Sequence, residues 1–262
     1  MDNHSIGLCA EHLSFSYVKE CSVINNISFS ISAGKITALI GPNGCGKSTL
    51  FSLLTGKLKP DAGNIILDGQ NISDIKRRDI ARRVSVVHQQ NTAPNDITVR
   101  RLVAMGRTPY QTLFSSAQNK NDSDAVERAL QITNTEKHAD RMISTLSGGQ
   151  RQRVWLAMAL AQATDILLLD EVTAYLDIYY QLSILKLVQN LNREYGMTIV
   201  LVMHDVNQAL TYSDEVMVMQ KGEMAAFGKT SEIITPERIR DAFRVNSRIK
   251  SCDGKPFCFF TD

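Results

Sequence analysis

The chain has 262 residues, 44% of them hydrophobic and 21% charged, which excludes a disordered polymer and leaves room for one large domain or two small ones. A net charge of +2 is too balanced to point to nucleic acid on bulk electrostatics, and no apolar run approaches the roughly 18 residues needed to span a bilayer. Five cysteines (9, 21, 45, 252 and 258) form no CxxC pair, and MDNHSIGLC has no basic region ahead of an apolar core, so the expectation is a cytosolic chain with reduced thiols and no secretory signal, held at any membrane by a partner.

Tyr17 falls in LSFSYV, 24 residues before Gly41, with the spacing of an ordinary strand tyrosine. In NISFSIS (26 to 32), Ile27, Phe29 and Ile31 point one way and the serines the other, which predicts a half-buried antiparallel strand. KITALI (35 to 40) is short and continuously apolar, as a strand buried on both faces is. A helix is predicted from Lys47 to Gly56, and NIILDGQNI (64 to 72) predicts a hairpin around Asp-Gly. RRVSVVHQ (82 to 89) is another buried strand, followed by a helical pattern from Ile97 to Arg141 with a loop at 106 to 122. A helix at about 149 to 162 precedes strand DILLLDE (165 to 171); a second, 178 to 196, precedes strand TIVLVMH (198 to 204). Beyond Glu215 come short strands split by KGE and a helix near Pro236 to Phe243. Strands alternating with helices imply a mostly parallel sheet, here an α/β core with an antiparallel patch in front and a helical insertion at about 90 to 163.

GPNGCGKST (41 to 49) fits GxxxxGK[ST] in full. Gly41, Gly44 and Gly46 let the backbone turn tightly, so that successive N–H groups of the loop that Pro42, Asn43 and Cys45 complete face the phosphates, proline itself having none to give, and the helix that follows adds its positive end. Lys47 is the cation for the β and γ phosphates, Ser48 the hydroxyl for Mg²⁺, and Thr49 completes the motif. ILLLDE places Asp170 and Glu171 at the C-terminal end of a buried strand, where ligands of open parallel sheets bind. Asp170 suits a Mg²⁺ shell and Glu171 a water in line with the γ phosphate. Alone, such a strand end is merely exposed; beside a phosphate loop in the same chain it gains a role. Gln89 and His204 also end strands expected on that sheet edge. Taken singly, the first would be a cap or loop residue and the second a structural histidine.

TLSGGQRQR (145 to 153) is a second anion site: Ser147 can cap a helix, and Gly148 and Gly149 leave N–H groups free at its positive end. No strand stands directly before it and it has no lysine, so it is not a second phosphate loop of the same kind.

LSGGQRQR shortly before ILLLDE, with GPNGCGKST upstream and a strand-ending His downstream, resembles the ATP-binding subunit of ABC transporters over nearly the whole chain. The resemblance implies a P-loop NTPase fold with an antiparallel β subdomain and a helical subdomain. It also implies ATP and Mg²⁺ as ligands, and a homodimer in which each ATP lies between the P-loop of one subunit and the signature of the other. Tyr17 is then similar to the aromatic that stacks on adenine, and Gln89 to the glutamine that senses Mg²⁺ and the attacking water. Asp177 matches the aspartate that crosses the dimer interface and can also cap the next helix; His204 matches the γ-phosphate histidine. Ser147, Gly148, Gly149 and Gln150 would serve the ATP held by the partner's Lys47, which explains the missing lysine.

GRTPY (106 to 110), DEVTAYLDI (170 to 178), HDVNQAL (204 to 210) and the ending RVNSRIKSCDGKPFCFF resemble the branch that powers uptake of iron–siderophore complexes, haem and cobalamin, and most closely the hydroxamate or catecholate siderophore ATPases. Zinc and manganese importers are close relatives. This implies two integral membrane permease subunits, indirectly a substrate-binding protein, and a place on the cytoplasmic face of the membrane. Three positions depart from the pattern: Val172 and His88 where Pro is usual, and Tyr110 where His is common. Val172 gives up the fixed φ of Pro in the turn after Glu171 but removes no charged group, and activity is expected to survive. The rival class is a soluble ABC ATPase of DNA repair, translation or iron–sulfur assembly. The first usually carries a long coiled coil and the second two ATPase halves, neither of which is seen. GRTPY and HDVNQAL argue against the third. A nucleotide-binding module without hydrolysis conflicts with Glu171, Gln89 and His204.

Overall fold

The computed structural model describes residues 7–19, 21–111 and 120–261. In chain order the strands and helices are β1 (Leu8–Val18), β2 (Cys21–Ile31), β3 (Ile36–Ile40), α1 (Lys47–Leu54), β4 (Ala62–Leu67), β5 (Gln70–Asn71), α2 (Arg77–Ile80), β6 (Val84–Val87), α3 (Val99–Ala104), α4 (Lys120–Ile132), α5 (Gly148–Ala161), β7 (Ile166–Asp170), α6 (Ile178–Tyr195), β8 (Thr198–Val202), α7 (Val206–Tyr212), β9 (Glu215–Gln220), β10 (Glu223–Lys229), α8 (Thr230–Ile233), α9 (Pro236–Phe243), β11 (Asn246–Cys252) and β12 (Lys255–Thr261). They fall into two compact bodies: one runs up to Ile75 and resumes at Leu191, the other spans Lys76–Asn190. No helix among the described residues is long and apolar enough to cross a membrane.

The first body holds an antiparallel sheet in the order β2-β1-β4-β5. Strand β2 is as its alternation predicts: Ile27, Phe29 and Ile31 are buried, and Ser28 and Ser30 are exposed. The β4–β5 hairpin turns on Asp68 (φ 52°) and Gly69 (φ 75°), the two left-handed residues that a tight hairpin of matching twist needs. Strand β1 escaped the sequence pattern because its register slips between Ala10 and Leu13, beside left-handed His12 (φ 50°), so the buried side chains lose their period of two. The same body sets β3 in parallel between β8 and β9, and β9 antiparallel to β10. All five residues of β3 and of β8 are buried, which is why both read as continuous apolar runs. Helix α9 begins as predicted, with the Thr235 side chain accepting from the Arg238 N–H and Pro236 in the first turn.

The second body pairs β6 and β7 in parallel and packs α3, α4 and α5 together. The expected loop at 106 to 122 is corrected at both ends: Met105–Tyr110 forms 3₁₀ turns, and residues 120 to 122 already belong to α4; residues 112–119 lie outside the described ones. Arg107 supplies the reason. It is only 8% exposed, and its guanidinium donates to Asp122 Oδ1 (2.8 Å) and to the Ala161 carbonyl (2.8 Å), and lies 3.9 Å from the centre of the Tyr110 ring. Arg78 and Arg82 both donate to the Pro109 carbonyl, and Arg82 also approaches the Tyr110 ring. Tyr110 thus offers a π face to two cations, a role a histidine could fill only while neutral. Arg107→Met is expected to cost about 3 kcal/mol in a urea melt of the full chain, because Asp122 and the Ala161 carbonyl lose a buried donor. A loss within about 0.5 kcal/mol would show that this cluster does not hold the segment.

Candidate nucleotide site

In the first body, β3 runs into the glycine loop and α1. Gly41 (φ 153°) must be glycine: a Cβ there would stand 2.3 Å from the Met219 carbonyl oxygen. Gly46 (φ 104°) is the residue before α1, and a Cβ on it would press on the Val23 carbonyl and Ile24 at 3.0 Å. The loop wraps Lys47, which is 5% exposed and whose Nζ donates to the carbonyls of Gly41 (2.8 Å) and Pro42 (3.0 Å). Asn43, Gly44 and Ser48 are exposed on this loop, while Cys45 and Thr49 are buried. Burial pushes the Cys45 thiol up, against the lowering influence of Lys47, so the loop's positive charge is not cancelled by a thiolate. Tyr17 is 64% exposed, edge-on to Phe15 at 4.9 Å, and its hydroxyl lies 3.3 Å from Thr49 Oγ1, which places a free aromatic face beside the start of α1. His204 follows β8, the parallel neighbour of β3, and is exposed. The strand stops at Val202, two residues earlier than expected, although the Met203 N–H still donates to the Leu39 carbonyl (3.0 Å).

In the second body, Val87 of β6 is registered against Leu169 of β7. Asp170 is the last residue of β7 and Glu171 the next, while Gln89 lies past the neighbouring end of β6. Gln89 likewise stands two residues past its strand, and its Nε2 donates to Glu171 Oε2. Two residues that sequence could only place on one edge are therefore in contact. Glu171 itself is left-handed (φ 48°), and the turn after it is closed by the Ala174 N–H donating to the Glu171 carbonyl (2.9 Å). Val172, where proline is usual, is 2% exposed, so its side chain is packed inside.

The signature opens α5 with a reciprocal cap. Ser147 Oγ accepts from the Gln150 N–H (3.3 Å), and Gln150 Oε1 accepts from the Ser147 N–H (3.0 Å). The Gln150 amide also reaches His138 Nε2 (3.3 Å). Burial, with Arg141 and Lys137 nearby, holds the His138 imidazole below its ordinary value, which favours the neutral ring. Ser147 and Gly148 are exposed, but Gly149 is buried beneath Tyr180. Asp177 caps α6, its Oδ1 accepting from the Tyr180 N–H (3.0 Å). His138 and Tyr180 were missed from sequence. No spacing rule ties His138 to Gln150, and Tyr180 lies among helix-surface tyrosines. Tyr175, Ile178 and Tyr179 are largely exposed around Asp177.

A family profile described as "ABC transporter" matches residues 24–174. The chain is 44% identical over 242 residues to the ferric enterobactin transport ATP-binding protein FepC of Escherichia coli, covering 92% of this chain and 89% of that protein. A structure assigned to a metal-chelate type ABC transporter, in an inward-facing conformation, is 30% identical with a TM-score of 0.84, covering 98% of this chain and 97% of that one. The dimeric structure of a bacterial ABC transporter cassette is 26% identical with a TM-score of 0.75, covering 85% and 98%. The chain belongs to the ABC transporter family.

Proposed function

We propose that the chain is the ATP-hydrolysing subunit of an importer for ferric siderophores, acting as a homodimer on the cytoplasmic side of two membrane permease subunits, with a binding protein delivering the cargo. The observation that carries the hydrolytic reading is the Gln89 amide on the Glu171 carboxylate: a base with an adjacent amide suits the orientation of a water, where a mere binding module needs neither. The siderophore class is supported by the likeness to a ferric enterobactin ATP-binding protein and by the GRTPY and HDVNQAL segments. The whole chain would work as one nucleotide-binding domain with its helical subdomain at about 90 to 163.

Residue roles follow body by body. The loop from Gly41 to Thr49 offers backbone N–H groups, the Lys47 ammonium and the positive end of α1 to the phosphates of ATP. Tyr17 stacks on adenine, and His204 donates to the γ phosphate. Ser48, Gln89 and Asp170 carry the hard oxygen atoms that Mg²⁺ takes, an ion that fills most of its shell with water and phosphate oxygens. Mg²⁺ would neutralise the charge developing on the phosphates. Glu171 takes the proton of the attacking water while Gln89 holds that water in line. Ser147, Gly148, Gly149 and Gln150 close on the ATP of the partner, and Asp177 crosses to it.

The test is growth on defined iron sources. A strain lacking this chain should fail on ferric siderophores and recover with the wild-type chain, which should also leave membranes together with two hydrophobic permease subunits. Normal growth on every siderophore, with loss only on haem or cobalamin, would overturn the cargo class.

A further inference from the structure

The tail hairpin β11–β12 has no place in the roles above, yet it is bonded to the helix that follows His204. Asn207, in the first turn of α7, uses its whole side-chain amide on one residue of β12: Nδ2 donates to the Cys258 carbonyl (3.1 Å), and Oδ1 accepts from the Cys258 N–H (2.7 Å). It pairs with the edge of β12 as a third strand would, in a sheet that among the described residues has two strands. Cys258 is 1% exposed, and its thiol is raised first by that burial and further by the Asp205 carboxylate, so the contact is packed as well as bonded. Helix α9 packs against β11 and α7 against β12, so the hairpin is held from both sides.

The segment bearing His204 is short and fixed at two ends. At one end the Met203 N–H donates to the Leu39 carbonyl of β3. At the other, Asp205 Oδ1 accepts from the N–H groups of Asn207 (2.7 Å) and Gln208 (3.2 Å) and starts α7, a helix of seven residues. So short a helix does not hold itself. It is held from outside: Val206, Ala209 and Leu210 are buried, the helix packs on β3 and α8, and Asn207 adds the hydrogen-bonded tie of its first turn to the tail.

We propose that Asn207 is a positioning residue for His204, and that the tail hairpin sets the hydrolysis rate through it. This rests on the assignment of His204 to the γ phosphate. Loss of the tie lets the first turn of α7 shift, and a shift of an ångström at a phosphate donor is enough to slow the chemical step while the glycine loop goes on binding ATP.

The test is steady-state ATP hydrolysis by the full-length chain carrying Asn207→Ala, Asn207→Asp, His204→Ala or both alanine changes. Asn207→Ala should lower kcat about ten-fold with KM for ATP within about two-fold. Asn207→Asp keeps the acceptor for the Cys258 N–H and loses the donor, so its kcat should fall in between. On the His204→Ala background, Asn207→Ala should add nothing, because both act on the same donor. Wild-type kcat in the two Asn207 variants overturns the proposal, as does a further ten-fold loss on the His204→Ala background. Near-normal turnover of His204→Ala alone instead removes the underlying assignment of His204. Should Asn207→Ala fail to fold, Asn207→Asp decides: an unchanged kcat overturns the proposal, and a fall at constant KM supports it.

Discussion

Glu171→Gln is expected to bind ATP within about two-fold of wild type and to release phosphate at least about a hundred-fold more slowly, measured on the purified chain with saturating ATP and Mg²⁺. The amide keeps the size of the carboxylate and removes its ability to accept a proton. It also faces the Gln89 Nε2 that now donates to Glu171 Oε2, and an amide oxygen can still accept that bond, so the local geometry should survive. The backbone gives a second readout. Glu171 is left-handed at φ 48°, a conformation that costs a residue with a Cβ on the order of 1 kcal/mol. Glu171→Gly should therefore be about 1 kcal/mol more stable than Glu171→Ala in a thermal melt, although both lose hydrolysis. Near-normal phosphate release by Glu171→Gln would remove Glu171 from the role of base.

Gly149→Asp should lose ATP-dependent dimerisation altogether, and the cause begins inside one subunit. A Cβ at Gly149 would sit 2.2 Å from Tyr180 Cγ and Cδ1, so any side chain must displace that ring. Gly149→Ala alone should cost about 1–3 kcal/mol, the usual penalty of overpacking. Adding Tyr180→Ala should recover most of it. The aspartate then separates two effects. In a Tyr180→Ala background it has room, and what remains is its charge at the positive end of α5, where it would oppose a phosphate. Size-exclusion chromatography with ATP, on chains also carrying Glu171→Gln to prevent turnover, reads the result. A Gly149→Asp, Tyr180→Ala chain that dimerises normally would show that the signature does not close on ATP.

Much of this was legible in the sequence, for reasons that differ by element. Strands β3, β6, β7 and β8 are buried on both faces and short, so their apolar runs announce them. The glycine loop is legible because only glycine can stand where Gly41 meets the Met219 carbonyl. Side-chain partners were not legible. Arg107 buries itself by meeting Asp122, fifteen positions away, together with a helix carbonyl, and nothing local foretells an ordered segment there. His138 and Tyr180 support the signature from outside it, by contacts whose spacing is set by the path of the chain. Helix α7 was hidden inside a motif read for its histidine, and the β11–β12 hairpin ends in an aromatic run whose Phe257, Phe259 and Phe260 stay exposed, so hydrophobicity gave no inside and outside to read.

The bond between Asn207 and Cys258 is made to main-chain atoms only, and every residue type except proline offers the same N–H and carbonyl there. The join is therefore indifferent to what the tail spells. Substitutions can accumulate across the outward residues Arg248, Lys250, Phe257 and Phe259 without loosening it, provided the strand persists and the side chain at 258 stays small enough to be enclosed. A tail of this kind is free to acquire a new surface chemistry under selection while its attachment beside His204 is inherited unchanged.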